Sequence, residues 1–354
     1  MGSPQLSNVW ERFDGVVVIG GSNIDLRGRP VGEVLEMYTS NPGKINVSSG
    51  GVGRNIAHNL ALLNVPVTLL SAVGDDREGI RNLEETGKAG VMMEQMIISG
   101  EHPTGIYMAI LNEKGEMEVA ISDMQVLEEI TVEYLKSKTY LIKESKMVVI
   151  DTNIPEKSIE YVVDLCNKVK VPLLIEPVSV EKAKKLRKIL DGSRKGKERK
   201  RWVIDYITPN EDELYSILGA EVKRNDNEDR DVDLVEAVEK LKGKGVRNVI
   251  VTLGEKGIYA SSGEDSRGGQ DEPGRGNFIA SYKSEVVDVT GAGDALVAGL
   301  VYGIYKGYSL EVAARFSMAA AALTISTKET VRRDLREELL RSRIEEEKER
   351  GRLL

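Results

Sequence analysis

The run Asp288-Val289-Thr290-Gly291-Ala292-Gly293-Asp294 puts two glycines, an alanine and an acid directly before an apolar stretch, Ala295 to Ile304. This is the composition of a tight loop opening onto a helix N-terminus. The first helical turn has N–H groups with no internal acceptor and lies at the positive end of the helix dipole, so it can hold a phosphate. An acid beside such a pocket repels a phosphate. It can, however, take a proton from a hydroxyl that attacks that phosphate. A glycine-rich turn with an acidic N-cap has the same composition, so the rest of the chain has to decide.

Four further motifs bear on that decision. Gly20-Gly21-Ser22-Asn23-Ile24-Asp25 follows an apolar run, where Asn23 and Asp25 could hydrogen-bond sugar hydroxyls. An Asx-rich turn would read the same way. Gly50-Gly51-Val52-Gly53-Arg54-Asn55 leads into a helical pattern. It lacks the full dinucleotide-binding glycine spacing and a partner acid. It suits close backbone approach to a small ligand, with Asn55 in the first turn, or a plain helix cap. Thr208-Pro209-Asn210-Glu211-Asp212-Glu213 has an N-cap asparagine with an acid three residues on. That is an ordinary capping arrangement, and it also groups an amide with a carboxylate that could organise Mg²⁺ waters or phosphate oxygens. Thr252-Leu253-Gly254-Glu255-Lys256-Gly257 closes another apolar run, where a nucleotide could approach the backbone or a hairpin could turn.

The elements that must position these residues alternate. Val16 to Ile19, Val67 to Ala72, Met147 to Ile150, Pro172 to Ile175, Val203 to Ile207 and Asn248 to Thr252 are short apolar runs of strand character. Amphipathic segments of helical length lie between them, at Arg54–Leu63, Ile80–Thr86, Glu156–Lys168, Val180–Leu190, Glu211–Leu218 and Val232–Lys242. The alternation predicts an α/β fold with a mainly parallel sheet covered on both faces. Gly43 to Ser49 and Met92 to Ile121 break it and read as a small inserted sheet. In the strand around Ile106, Met108 and Ile110 neither face is fully polar, so this sheet needs two covers, such as a ligand and a partner subunit. Asp191–Lys200 and Ser261–Gly276 read as surface loops, and Arg332–Arg350 as a charged, solvated helix.

Composition narrows the function classes. The net charge of −8 argues against a nucleic-acid or anionic-membrane partner. A single cysteine, Cys166, excludes an internal disulfide, suits a reducing compartment, and lies in a pattern that reads as a buried helix face. The two histidines, His58 and His102, lack metal-ligand partners at short spacing, which disfavours zinc and a Ser-His-Asp triad. No apolar run approaches membrane-spanning length, and Met1 to Phe13 lacks the plan of a signal peptide, so a cytoplasmic protein is expected.

The motifs in their order resemble the ribokinase-like (PfkB) carbohydrate and nucleoside kinases over roughly residues 14 to 330. The resemblance implies a single three-layer α/β/α kinase domain over 1–354, with a small β-sheet lid from about 27–49 and 92–123 and a charged terminal helix at 333–354. It implies Asp294 as general base and the N–H groups of Gly291, Ala292 and Gly293 as an anion hole. It assigns Asn23, Asp25, Gly51, Asn55 and Asn153 to the acceptor, with Thr104, Tyr107 and Asp123 near its base. Asn210, Thr252, Gly254, Gly257 and Met318 fall to the nucleotide, ATP. Asn210 and Glu213 would act on Mg²⁺ indirectly, and Asp288 and Thr290 fall where many relatives hold a monovalent cation, K⁺. The stretches Pro42–Lys44, Gly50–Ala57, Ser122–Met124, Asp151–Asn153 and Glu176–Ala183 are similar to the pseudouridine-kinase branch, which implies the 5′-hydroxyl of pseudouridine as acceptor. Val52 replaces the lysine usual in ribokinases. A sugar-phosphate acceptor would call on Arg27, Arg29, Lys44 or Arg54. In this family lids of this kind often pair between subunits, which implies a homodimer through the lid sheet.

Overall fold

The computed structural model describes residues 13–32, 35–113, 115–192, 203–219, 230–263 and 276–351. Among these residues the main sheet has eight strands in the spatial order Asn277–Ile279, Ile258–Ser261, Val246–Thr252, Ile204–Ile207, Leu173–Glu176, Met147–Asp151, Val16–Ile19 and Val67–Leu70. The last six of these are mutually parallel, and the first two are antiparallel to their neighbours. Their uninterrupted apolar character follows from burial on both faces. Val17 and Ile19 enter one hydrophobic cluster, and Val16 and Val18 enter the other. Helices Glu156–Val169, Val180–Gly192 and Glu211–Leu218 cover the first face. Helices Val52–Leu62, Ala292–Tyr305 and Leu310–Thr324 cover the second. The result is the three-layer α/β/α arrangement expected.

Strand order reverses between Val16–Ile19 and Met147–Asp151. One leaves for Val67–Leu70 on one side, the other for Leu173–Glu176 on the opposite side. Such a switch point opens a crevice at the carboxyl ends of the strands.

A second sheet of four strands runs Gly43–Gly50, Asn23–Pro30, Ile106–Leu111, Met117–Asp123. It begins at Asn23, earlier than the expected start at 27, so Asp25 lies within it. Ile97–Ser99 does not join it, although it falls within the expected 92–123 segment. That strand pairs with Ala72–Gly74 instead. Register divides the faces of this sheet. Leu26, Val47, Met108, Ile110, Val119 and Ile121 share one face, and Asp25, Arg27, Asn46, Ser48, Tyr107 and Ser122 share the other. Only one face is therefore continuously apolar, where two were anticipated. That face is open: Ile45 is 72%, Ile121 67% and Val119 54% exposed.

The terminal helix also differs from expectation. Glu337–Glu349 is not merely solvated, since Leu340, Arg343, Ile344 and Glu347 are buried in it. Glu347 satisfies its burial through ion pairs to Arg343 at 3.4 Å and Arg350 at 2.8 Å. Cys166 is buried as its pattern suggested, and burial pushes its thiol pKa up. Most of the two expected surface loops, residues 193–200 and 264–275, lies outside the described residues. Among the described residues no helix is long and apolar enough to cross a membrane.

Candidate active site

The crevice is organised first by a carboxylate that the motifs did not single out. Asp151 ends its strand fully buried and accepts N–H bonds from Gly21 at 2.8 Å, Gly53 at 2.8 Å and Asn153 at 2.9 Å. It ties the loop after Val16–Ile19 to the N-terminus of helix Val52–Leu62, where a negative charge suits the dipole. Gly20 is required by this approach, because a Cβ there would collide with an Asp151 carboxylate oxygen. Burial raises the Asp151 pKa against the pull of these hydrogen bonds.

That anchoring aims Asn55 outward from the first turn. Its Nδ2 donates to Asp294 Oδ2 at 2.7 Å, joining the starts of helices Val52–Leu62 and Ala292–Tyr305. The amide's orientation is fixed by Arg54, which donates to Asn55 Oδ1 at 3.1 Å and to Thr86 Oγ1 at 2.8 Å. Arg54 is buried, and burial lowers its pKa to about 10, so it remains a cation at neutral pH. It is enclosed within the fold and does not present itself to a sugar phosphate. Asn23 donates to Asp25 Oδ1 at 2.7 Å, and burial raises the Asp25 pKa. Asn23, Asp25, Asn55 and Asp151 thus gather polar groups on one side of the crevice, the side where the acceptor is expected.

Asp294 is half-buried, not exposed as a simple surface base would be. Burial is the main cause lifting its pKa from 3.8 to about 7; the Asn55 hydrogen bond opposes the rise, and the charges of Asp151 and Asp25 add to it. A carboxyl that titrates near neutrality is well matched to proton transfer at physiological pH.

Gly291 caps the helix of Asp294 with φ 79°, and a Cβ on it would collide with the Thr330 carbonyl oxygen. At Gly293 nothing lies within 4 Å of where a Cβ would be, so a ligand can reach the backbone there. The Ala292 N–H is bonded to the Val289 carbonyl at 3.2 Å, which leaves Gly291 and Gly293 as the better donors toward an anion. Asp288 Oδ1 accepts from Thr290 N at 2.8 Å, and its Oδ2 accepts from Arg27 at 3.1 Å. Both oxygens of the carboxylate expected to meet a monovalent cation therefore already hold protein donors.

A cavity of about 220 Å³ adjoins Asp294 and Gly293 and is lined by Asn210, Glu213, Thr252, Thr208, Glu176 and Val178 among others. Asn210 and Glu213 form a capping box: Glu213 N donates to Asn210 Oδ1 at 2.8 Å, and Asn210 N to Glu213 Oε2 at 2.9 Å. The adjacent strand end reaches them through Thr252 N, which donates to the Pro209 carbonyl at 2.9 Å. Glu176 is the second carboxylate to which the sequence reading gave no role. Thr208 Oγ1 donates to it at 2.5 Å, and burial, then Glu213, then Asp294 push its pKa well above the usual carboxylate range. Burial likewise raises Glu213. Such crowding of oxygen donors suits a hard divalent cation that arrives with phosphates. It is not a protein-built cage: the described residues contain no group of three or more His, Cys, Asp or Glu able to hold a metal.

The remaining expected residues divide. Gly51 is the N-cap of helix Val52–Leu62, beside the acceptor side. Asn153 accepts from Lys182 through Oδ1, and its Nδ2 faces Gly21. Gly254 and Gly257 form the turn after Thr252, outside the cavity lining. Three residues lie elsewhere. Thr104 is buried, bonded through its hydroxyl to Asp76 at 2.6 Å and to Gly74 N at 2.9 Å, and so braces a helix cap. Met318 is 5% exposed in the apolar cluster on the second sheet face. Asp123 pairs with Ile106 on the outward face of the small sheet, opposite to Asp25, whereas Tyr107 shares the Asp25 face. Lys44 is exposed at the edge of that sheet.

Comparison with known proteins bears on the family and the fold. Residues 14–336 match the family described as pfkB family carbohydrate kinase. The chain is 34% identical to pseudouridine kinase from Escherichia coli (strain K12), over 91% of this chain and 94% of that protein. It is 26% identical to guanosine-inosine kinase from Exiguobacterium acetylicum, covering 89% and 95% of the two chains. The structure of Arabidopsis thaliana ribokinase complexed with ribose and ATP superposes with a TM-score of 0.74 at 24% identity, covering 94% of this chain and 98% of that one.

Proposed function

This chain belongs to the pfkB family of carbohydrate kinases, with the ribokinase-like fold, and on that premise we propose that it transfers the γ-phosphate of ATP to the 5′-hydroxyl of pseudouridine. The products are pseudouridine 5′-phosphate and ADP. The observation that carries the reading is the 2.7 Å hydrogen bond from Asn55 to Asp294, which joins a sugar-type polar cluster to a carboxyl beside an open helix N-terminus. The similarity to the Escherichia coli pseudouridine kinase supports the choice of acceptor.

In this reading Asn23, Asp25 and Asn55 hold the ribose, while Asn153 and Tyr107 approach from the sides. The two carboxamides of Asn23 and Asn55 can both donate and accept, and the Asp25 carboxylate accepts, so together they suit hydroxyls. The 5′-hydroxyl gives its proton to the Asp294 carboxylate as its oxygen bonds to the γ-phosphorus. The bond from that phosphorus to the bridging oxygen breaks, and the electron pair leaves with ADP. Backbone N–H groups of Gly291 and Gly293 stabilise the charge on the moving phosphoryl group. Asn210, Glu213 and Thr252 border the nucleotide, and Glu176 and Glu213 would meet Mg²⁺ through water. When bound, Mg²⁺ would neutralise phosphate charge.

The four-stranded sheet would serve as a lid that excludes water, its Asp25 and Arg27 face inward. Its open apolar face, with Ile45, Val119 and Ile121 exposed, supports a homodimer that pairs two lids. The proposed setting is the cytoplasm.

The test of function is a coupled ADP-release assay across pseudouridine, uridine, adenosine, ribose and fructose 6-phosphate, with Mg²⁺ present. Pseudouridine is expected to give the highest kcat/KM. Clearly faster turnover of any other acceptor would overturn the choice of acceptor while leaving the kinase reading intact.

A further inference from the structure

Arg27 comes from the small sheet, yet its bonds fall on the loop around Gly291. One guanidinium nitrogen donates to Asp288 Oδ2 at 3.1 Å, and another to Thr330 Oγ1 at 3.0 Å. These two partners flank the anion hole. Asp288 begins the run that leads to Gly291, and the Thr330 carbonyl is the atom that a Cβ on Gly291 would strike. The guanidinium is mostly enclosed, with its side chain 18% exposed, and Asp288 is 31% exposed. Partial burial strengthens the pair relative to a surface ion pair.

This bears on the monovalent cation that the family resemblance implied at Asp288 and Thr290. A cation bound at the Asp288 carboxylate would have to share it with the guanidinium and would meet its like charge at short range. Oδ1 is meanwhile engaged by Thr290 N. The residues present do not fit a cation there.

We propose that Arg27 is a positioning residue that supplies, from the lid, the fixed positive charge at Asp288, so that the loop carrying the anion hole is held without K⁺. The proposal rests on the kinase reading for its consequence in turnover, though not for its consequence in loop stability. It also makes the hole depend on lid placement, because the same strand carries Asp25 toward the acceptor.

The experiment compares the wild type with Arg27→Met and Arg27→Lys, in K⁺ and in tetramethylammonium at matched ionic strength. Two readouts are taken: turnover with ATP and the best acceptor, and the thermal unfolding midpoint without ligands. The wild type should give the same values in both salts. Arg27→Met should lose roughly tenfold to a hundredfold in kcat in tetramethylammonium, the size of a charge-assisted hydrogen bond. K⁺ should restore part of that loss and raise the variant's midpoint by about 2 °C. Arg27→Lys should lie between, because it keeps the charge and loses the fork. A wild type that requires K⁺, or an Arg27→Met variant no more responsive to K⁺ than the wild type, would overturn the proposal. If no acceptor is turned over, the kinase reading fails, and the midpoints alone decide this one.

Discussion

The two halves of the crevice differ in what faces their carboxyls. On the acceptor side, polar groups are paired with one another: Asp151 with three N–H groups, Arg54 with Asn55 and Thr86, Asn23 with Asp25. On the nucleotide side, Glu176, Glu213 and Asp294 crowd one cavity, and each has a raised pKa. In the proposed reading the first half is preorganised to hold a neutral polyol. In the second, burial is the main cause of all three rises, with Glu213 and Asp294 adding like charge at Glu176, so a cation arriving with the nucleotide would favour the ionised carboxylates. Asp294 belongs to both halves, through Asn55 on one side and the cavity on the other.

The largest expected effect is at that junction. Asp294→Asn should keep nucleotide affinity and lose roughly 10²- to 10⁴-fold in kcat, measured by ADP release and by calorimetric titration of ATP. It should also change the pH dependence of stability. Because folding raises the Asp294 pKa from 3.8 to about 7, this group's contribution is fully present below about pH 4 and lost as pH rises through 7. The variant should show less of that decline in denaturant titrations. Unchanged turnover would break the comparison outright.

Gly291→Ala comes next. The added Cβ would collide with the Thr330 carbonyl oxygen, so the loop must move. A displacement of about 1 Å is expected to lower kcat by roughly 10²-fold, with little change in acceptor KM. Steady-state kinetics separate the two.

Asp151→Asn tests the acceptor side. An amide nitrogen would face at least one of the N–H donors that the carboxylate now accepts, and the loss should be about 1–3 kcal/mol of unfolding free energy. Removing this charge should also lower the Asp294 pKa, since Asp151 helps to raise it. A variant with unchanged Asp294 titration would show that the two halves are electrically independent. The smallest effect is expected at Asp123→Ala, which should change acceptor KM by less than about twofold, because Asp123 lies on the outward face of the small sheet.

Much of this was legible in the sequence where local chemistry decides. The parallel strands announced themselves as apolar runs such as Val16–Ile19, and the Asn210–Glu213 capping box by its spacing. Asp151 and Glu176 open two of the stretches that carry the resemblance but received no role, because their roles arise only when distant segments converge on a strand end. A signal existed: each is an acid closing an otherwise apolar strand, Met147–Asp151 and Leu173–Glu176. Arg54 was one candidate for a sugar phosphate until tertiary packing enclosed it, and Thr104 a candidate substrate contact until Asp76 claimed its hydroxyl. The burial that tunes Asp294 is likewise a property of the assembled layers.

The most direct test of Asp294 as the base is the pH dependence of kcat/KM, measured with both substrates below saturation so that the free protein is reported. The rate should climb about tenfold per pH unit in acid and level off above about pH 7, where the Asp294 carboxyl is ionised. A flat profile from about pH 5 to 8, in a protein that remains folded throughout, would contradict that role.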